Sequence, residues 1–121
     1  MVMPESALIL CVDDDRSALE LRKKLLETNG FAVLATTSAT QALKLFRANP
    51  VNLVVADHLL RNSTGVELAR EMKRLKPAVP IVLYSGTLPE SLQHVDCFLL
   101  KSEPVAEFLA FIRDLAKRSR Q

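Results

Sequence analysis

The residues able to do chemistry stand at the ends of apolar runs. Asp13-Asp14-Asp15 closes the run 7–12, Asp57 closes 51–56, Ser85 follows 81–84 and Lys101 closes 95–100. Carboxylates drawn together repel one another, and a hard divalent cation relieves that repulsion through oxygen ligation. Mg²⁺ suits such a set: it takes one or two carboxylates, keeps several waters and completes its shell with phosphate oxygens. A carboxylate beside Mg²⁺, an ammonium and a hydroxyl can accept a phosphoryl group, because metal and lysine neutralise charge on the equatorial oxygens. Asp57 is the best-placed acceptor, alone after Leu53-Val54-Val55-Ala56.

For these residues to meet, the runs must be strands of one sheet. Five apolar runs, 7–12, 31–35, 51–56, 81–84 and 95–100, are each four to six residues long, as expected of strands buried on both faces. Helical spacing fills the intervals. Ala18, Leu21 and Leu25, flanked by Leu19 and Leu26, form one face, and Arg22 interrupts it. Ala39, Ala42, Leu43 and Phe46 form a second face, Val66, Ala69, Met72 and Leu75 a third, and Val105, Phe108, Leu109, Ile112 and Leu115 the last.

Punctuation supports these boundaries. Asp15 and Ser38 can cap the first two helices, Asn29-Gly30 and Asn49-Pro50 stop them, and Ser63 or Thr64 can cap the third. Lys76-Pro77 closes the third helix, and Pro104 suits the first turn of the last. Between the fourth and fifth strands only residues 87–94 are available, enough for one or two helical turns through Glu90, Ser91, Leu92 and Gln93. Five βα units give parallel strands joined by crossovers and a three-layer α/β sandwich. Ligands bind such a sheet at the carboxyl ends of its strands, where Asp13, Asp14, Asp57, Ser85 and Lys101 all lie.

A chain of 121 residues, 49% hydrophobic and 25% charged, is one domain. The net charge of +2 is too balanced for binding nucleic acid by bulk phosphate neutralisation, and without Lys117, Arg118 and Arg120 it becomes −1. No apolar run approaches the roughly 18 residues that cross a bilayer, and the opening residues carry no secretory pattern, so a cytoplasmic protein without membrane contact is expected. Cys11 and Cys97 lie in apolar runs and read as core thiols rather than a disulfide.

The ordered set of Asp13-Asp14, Asp57, Gly65 eight residues later, Ser85-Gly86 and Lys101 preceded by Phe98 resembles the receiver domain of two-component response regulators, of the single-domain chemotaxis-regulator kind. The resemblance runs from Leu8 to about Leu115. It implies a single receiver over 1–121 (core about 7–116, with 117–121 a basic tail) and leaves no room within the chain for an output domain. The implied fold is flavodoxin-like, a five-stranded parallel sheet of order 2-1-3-4-5 with helices on both faces and a short fourth helix. By the same resemblance, Asp57 is the phosphoacceptor, Asp14 and Asp57 ligate Mg²⁺ with the backbone carbonyl of Leu59, and Asp13 acts through a water. Lys101 would pair with the phosphoryl group, Ser85 would hydrogen-bond to it, and Phe98 would be the aromatic that follows Ser85. The implied partners are a sensor histidine kinase or histidine phosphotransfer protein and a downstream protein. The implied role is signalling rather than enzymatic, with at most self-catalysed phosphoryl transfer and hydrolysis.

Four positions depart from the family pattern. Arg61 stands where a proline is usual, and Ser102 follows Lys101 in place of a cis proline, so a trans bond is expected there. The fourth helix is curtailed, and Phe98 has no hydroxyl. These departures motivate an alternative, a degenerate receiver that binds partners without phosphorylation. A second alternative, a phosphatase of the haloacid dehalogenase type, uses Asp13 as nucleophile and Asp15 as acid/base but leaves Asp57 unexplained. His58, His94 and the Lys117-Arg118-Ser119-Arg120 tail read as surface residues, the tail answering the dipole of the last helix.

Overall fold

The structure is a computed structural model, and it describes residues 6–119. Five parallel strands, β1 (Leu8–Val12), β2 (Ala32–Thr36), β3 (Leu53–Ala56), β6 (Ile81–Ser85) and β7 (Cys97–Leu100), form one sheet in the order β2-β1-β3-β6-β7. Counted along the chain, this is the expected order 2-1-3-4-5. Two further strands, β4 (Leu59–Leu60) and β5 (Ser63–Thr64), form a separate antiparallel hairpin that the sequence reading did not anticipate. Its turn is Arg61-Asn62, with Asn62 at φ 64°, a conformation asparagine tolerates better than most residues.

Side chains alternate along each strand, so every strand feeds both layers. Leu10, Val12, Val54, Ala56 and Ile81 pack under α2 (Ala39–Ala48) and α3 (Gly65–Leu75), against Ala42, Phe46, Leu68, Ala69 and Met72. Ile9, Cys11, Val55, Val82 and Tyr84 pack under α1 (Arg16–Thr28) and α4 (Val105–Ser119), against Leu19, Leu26, Phe108 and Ile112. Asp15, Ser38 and Thr64 accept backbone N–H groups at the starts of α1, α2 and α3, and Asn29, Asn49 and Lys76 end those helices. Pro104 lies just before α4 rather than inside its first turn, and its carbonyl accepts the Glu107 and Phe108 N–H groups.

Two sequence expectations need correction. The buried residues of α1 are Leu19, Arg22 and Leu26, whereas Leu21 is 72% exposed. The inward face is therefore rotated by about one residue, and it is Arg22, not Leu21, that it carries inside. The second correction concerns the short fourth helix, which does not form: residues 86–96 hold only bends and a turn at Gln93-His94, with His94 at φ 68°. So short a connection allows only one or two helical turns, too few hydrogen bonds to offset the cost of nucleating a helix. The segment returns to the sheet by ion pairing instead, since the Asp96 carboxylate accepts the Ile81 N–H at 2.7 Å and pairs with Lys73 at 2.6 Å. β6, flanked by β3 and β7, is wholly buried, while all four residues of the edge strand β7 are half-buried.

Gly65 opens α3 directly beneath the loop after β3. A Cβ there would overlap the Asp57 backbone carbonyl and Leu83 Cδ1, and neither a carbonyl nor a fully buried leucine can move aside. Gly65→Ala is expected to destabilise the fold by about 1–3 kcal/mol, read as a lower urea midpoint at unchanged slope; an unchanged midpoint would contradict this packing. Both cysteines are free. Burial pushes the Cys11 thiol up to about 12, with Arg22 lowering it and Asp13 raising it by smaller amounts. Ellman titration at pH 8 should therefore find at most one reactive thiol, Cys97, in the native protein and both in denaturant. Two fast thiols in the native state would contradict the burial of β1.

Candidate functional site

The sheet ladder continues past the strand ends and fixes the functional positions. The Asp57 N–H donates to the Val12 carbonyl at 2.9 Å, the Lys101 N–H to the Ser85 carbonyl at 2.9 Å, and the Asp13 N–H to the Thr36 carbonyl at 3.3 Å. The side chains at 13, 57 and 101 are thus carried by backbone that the sheet itself holds. Asp13 has no solvent exposure, Asp57 and Lys101 are 14% and 28% exposed, and Asp14 faces solvent.

Lys101 Nζ lies 2.8 Å from Asp13 Oδ2 and 3.2 Å from Asp57 Oδ2, so one ammonium bridges two strand ends. The change from proline to Ser102 does not carry the lysine away, and no cis peptide bond occurs among the described residues. Asp57 Oδ1 accepts the His58 N–H at 2.8 Å. Asp13 Oδ1 accepts the Asp15 N–H at 2.9 Å. Burial alone drives the Asp13 carboxyl upward, but hydrogen bonds from Lys101 and the Asp15 N–H, with the Lys101 and Arg22 charges, outweigh it and hold the group below its ordinary value.

Arg22 is the site residue that sequence reasoning missed. Its Nη2 lies 3.1 Å from Asp13 Oδ2, with the side chain only 7% exposed, and its guanidinium sits 5.0 Å from the centre of the Tyr84 ring. Tyr84 in turn stacks on Phe108 of α4 at 4.5 Å. The signal available in the sequence was a cation in the middle of an apolar helical arc, two turns after the acidic cluster.

Ser85 is buried at the end of β6, where its Oγ accepts the Thr87 N–H at 3.3 Å. Leu59 opens the small hairpin with its side chain 62% exposed, and Phe98 is half-buried on β7 beside Leu83. His58 departs from the expected surface position: it is half-buried, and its Nδ1 is buried without a hydrogen-bond partner. His94 is exposed, and so are Lys117 and Arg118 in the last turn of α4, while Arg120 and Gln121 lie outside the described residues.

The donor set fits a hard divalent cation. One carboxylate oxygen from each of Asp13, Asp14 and Asp57 falls within 4.8 Å of the others, and all are oxygen ligands of the kind Mg²⁺ takes. Asp14, exposed and adjacent to buried Asp13, opens the cluster to solvent.

Comparison with known proteins places the chain in a family. Residues 9–101 match the profile of the response regulator receiver domain. Among curated relatives, the transcriptional regulatory protein GlrR of Escherichia coli K12 is 29% identical over 99 residues, 77% of this chain and 22% of that protein. Response regulator MprA of a Mycobacterium species (strain KMS) is 29% identical over 117 residues, 92% of this chain and 51% of that one. The chain therefore spans about half or less of the length of these relatives. Among solved structures, a CheY-like receiver domain protein from Methanospirillum hungatei superposes with a TM-score of 0.89 at 25% identity, covering 95% of this chain and 97% of that one. The response regulator TrrA of Thermotoga maritima, solved with Mg²⁺ and BeF, gives 0.84 at 26% identity over 90% and 98%. With a family profile matching most of its length, this chain belongs to the response regulator receiver domain family of two-component systems.

Proposed function

We propose that Asp57 is the phosphoacceptor of this receiver, with Lys101 and Ser85 acting on the transferred group. The observation that carries the reading is the Lys101 ammonium, 3.2 Å from Asp57 Oδ2 and 2.8 Å from Asp13 Oδ2, at the mouth of a three-carboxylate cluster. Asp14, Asp57 and the Leu59 carbonyl would hold Mg²⁺, with Asp13 acting through a water. When bound, Mg²⁺ supplies neutralisation of the charge on the phosphoryl oxygens.

The chain's own residues then do the following. An Asp57 carboxylate oxygen forms the new O–P bond as the P–N bond of a donor phosphohistidine breaks, and the freed imidazole takes a proton. The His58 N–H holds the Asp57 carboxylate in place through Oδ1. Lys101 follows the growing charge, and Ser85, whose Oγ accepts the Thr87 N–H, donates its O–H to the phosphoryl group. Phe98, on the half-buried edge strand, reports the change by packing.

The donor is a sensor histidine kinase or histidine phosphotransfer protein, and the output is phosphorylation-dependent binding of another protein. The setting is cytoplasmic, a reading supported by two free thiols. Among the described residues no helix is long and apolar enough to cross a membrane. The phosphatase alternative loses support because Asp15 caps α1, its Oδ1 accepting the Ser17 and Ala18 N–H groups, and because the Lys101 contact to Asp57 has no part in that reading. The degenerate-receiver alternative loses support because Lys101 still reaches Asp57.

Incubation with acetyl phosphate and Mg²⁺ should add the mass of one phosphoryl group by intact mass spectrometry, and Asp57→Ala should abolish it. A wild type that takes no adduct from acetyl phosphate, phosphoramidate or carbamoyl phosphate overturns the assignment. Lys101→Met should slow adduct formation by about 10²-fold, the scale of losing one charge-stabilising donor; an unchanged rate would remove Lys101 from the chemistry.

A further inference from the structure

Asp13 is the most deeply buried charge of the site, and three donors converge on it. Oδ1 accepts the Asp15 N–H, while Oδ2 is shared by Lys101 at 2.8 Å and Arg22 at 3.1 Å. A carboxylate offers about four lone-pair positions, so little of Asp13 remains for anything else. The two cations differ in freedom. Lys101 is 28% exposed, divides its ammonium between Asp13 and Asp57, and swings on a flexible stem. Arg22 is 7% exposed and fixed, its guanidinium packed over Tyr84, which is itself stacked on Phe108.

We infer that Arg22 is a positioning residue for phosphoryl transfer, a standing counter-ion that keeps Asp13 compensated when Lys101 turns to the phosphoryl group, and that lowers the pocket's affinity for divalent cations. The inference rests on the reading of Asp57 as acceptor and Mg²⁺ as cofactor. A carboxylate with no solvent exposure cannot be left without a cation, because an unpaired buried charge is strongly disfavoured. If Lys101 alone compensated Asp13, moving that ammonium to Asp57 would strip it. With Arg22 in place Lys101 is free to move.

The second consequence is electrostatic. Three carboxylates, Asp13, Asp14 and Asp57, face two cations, Lys101 and Arg22, so the cluster carries one net negative charge rather than two. A dication entering it meets less attraction than it would without Arg22, whereas a dianionic phosphoryl group meets less repulsion. Removing the guanidinium charge is expected to tighten Mg²⁺ binding by about tenfold, a modest fraction of the Coulomb interaction of a unit charge with a dication at protein-like dielectric.

Isothermal titration of the wild-type protein with Mg²⁺, beside Arg22→Gln, Arg22→Met and Arg22→Lys, tests the inference without reference to activity. Arg22→Gln keeps a hydrogen-bond donor toward Asp13, so it carries the reading if Arg22→Met does not hold the fold by circular dichroism. Expected is a dissociation constant about tenfold lower for the neutral variants and within about twofold of wild type for Arg22→Lys, which keeps the charge. Neutral variants that bind no tighter than wild type overturn the inference while leaving the phosphoacceptor reading intact. Arg22→Lys tightening as much as Arg22→Gln also overturns it, because the cause would then be packing rather than charge. A wild type that binds no Mg²⁺ overturns the cofactor reading and this inference together, and acetyl phosphate labelling separately decides the acceptor.

Discussion

The burial of one carboxylate organises the site. Asp13 has no solvent exposure at the end of β1, an inner strand between β2 and β3, and a charge taken that far from water persists only if cations and N–H donors surround it. Its partners come from across the chain: the Asp15 N–H from the start of α1, Arg22 from the helix body, and Lys101 from beyond β7, 88 residues away. Asp57 then gains Lys101 because the same ammonium is already held at Asp13. The constraint works in both directions, since removing Asp13 would leave Arg22 a buried cation among Leu19, Leu26, Tyr84 and Phe108.

The strand ends are the part of this arrangement that sequence exposes most directly. In a parallel sheet, each apolar run must stop where its carboxyl end meets solvent, and the first polar residue after it falls at a common edge. Asp13, Asp57, Ser85 and Lys101 are those first residues, and the ladder bonds from Asp57 to Val12 and from Lys101 to Ser85 show why their places follow from the strands. The caps were legible for a similar reason: Asp15, Ser38 and Thr64 are short polar side chains ahead of apolar periodicity.

What escaped was set by contacts between elements. In α1, hydrophobicity alone favours Leu21 over Arg22 as the inward residue, yet the structure turns Leu21 out and Arg22 in. Periodicity counts apolar side chains and does not register a cation whose aliphatic stem packs against the core while its head meets a buried acid. The β4–β5 hairpin escaped because two-residue strands carry no period, and its turn depends on Asn62 adopting a positive φ. His58 was misplaced for a related reason: the alternation that sends it away from Asp57 does not send it into water, because the hairpin and the 87–91 loop lie on that side.

The uneven burial of the sheet bears on how a charge change at Asp57 can spread. Strands β1, β3 and β6 are almost entirely buried under helices, and displacing them would open a densely packed core. β7 is half-buried throughout, and the segment before it is held by Asp96 and Lys73 rather than by a helix packed on the sheet. Ser85 and Lys101, the two residues proposed to act on the phosphoryl group, stand at the connections on either side of that strand. Local stability follows buried contacts, so the smallest free-energy cost of accommodating new charge lies in residues 86–104. Arg22 and Asp13 stand on the rigid side of the same site and Lys101 on the yielding side. The acid of this site is therefore held by buried partners, while its lysine follows an edge strand that no helix between residues 86 and 96 covers.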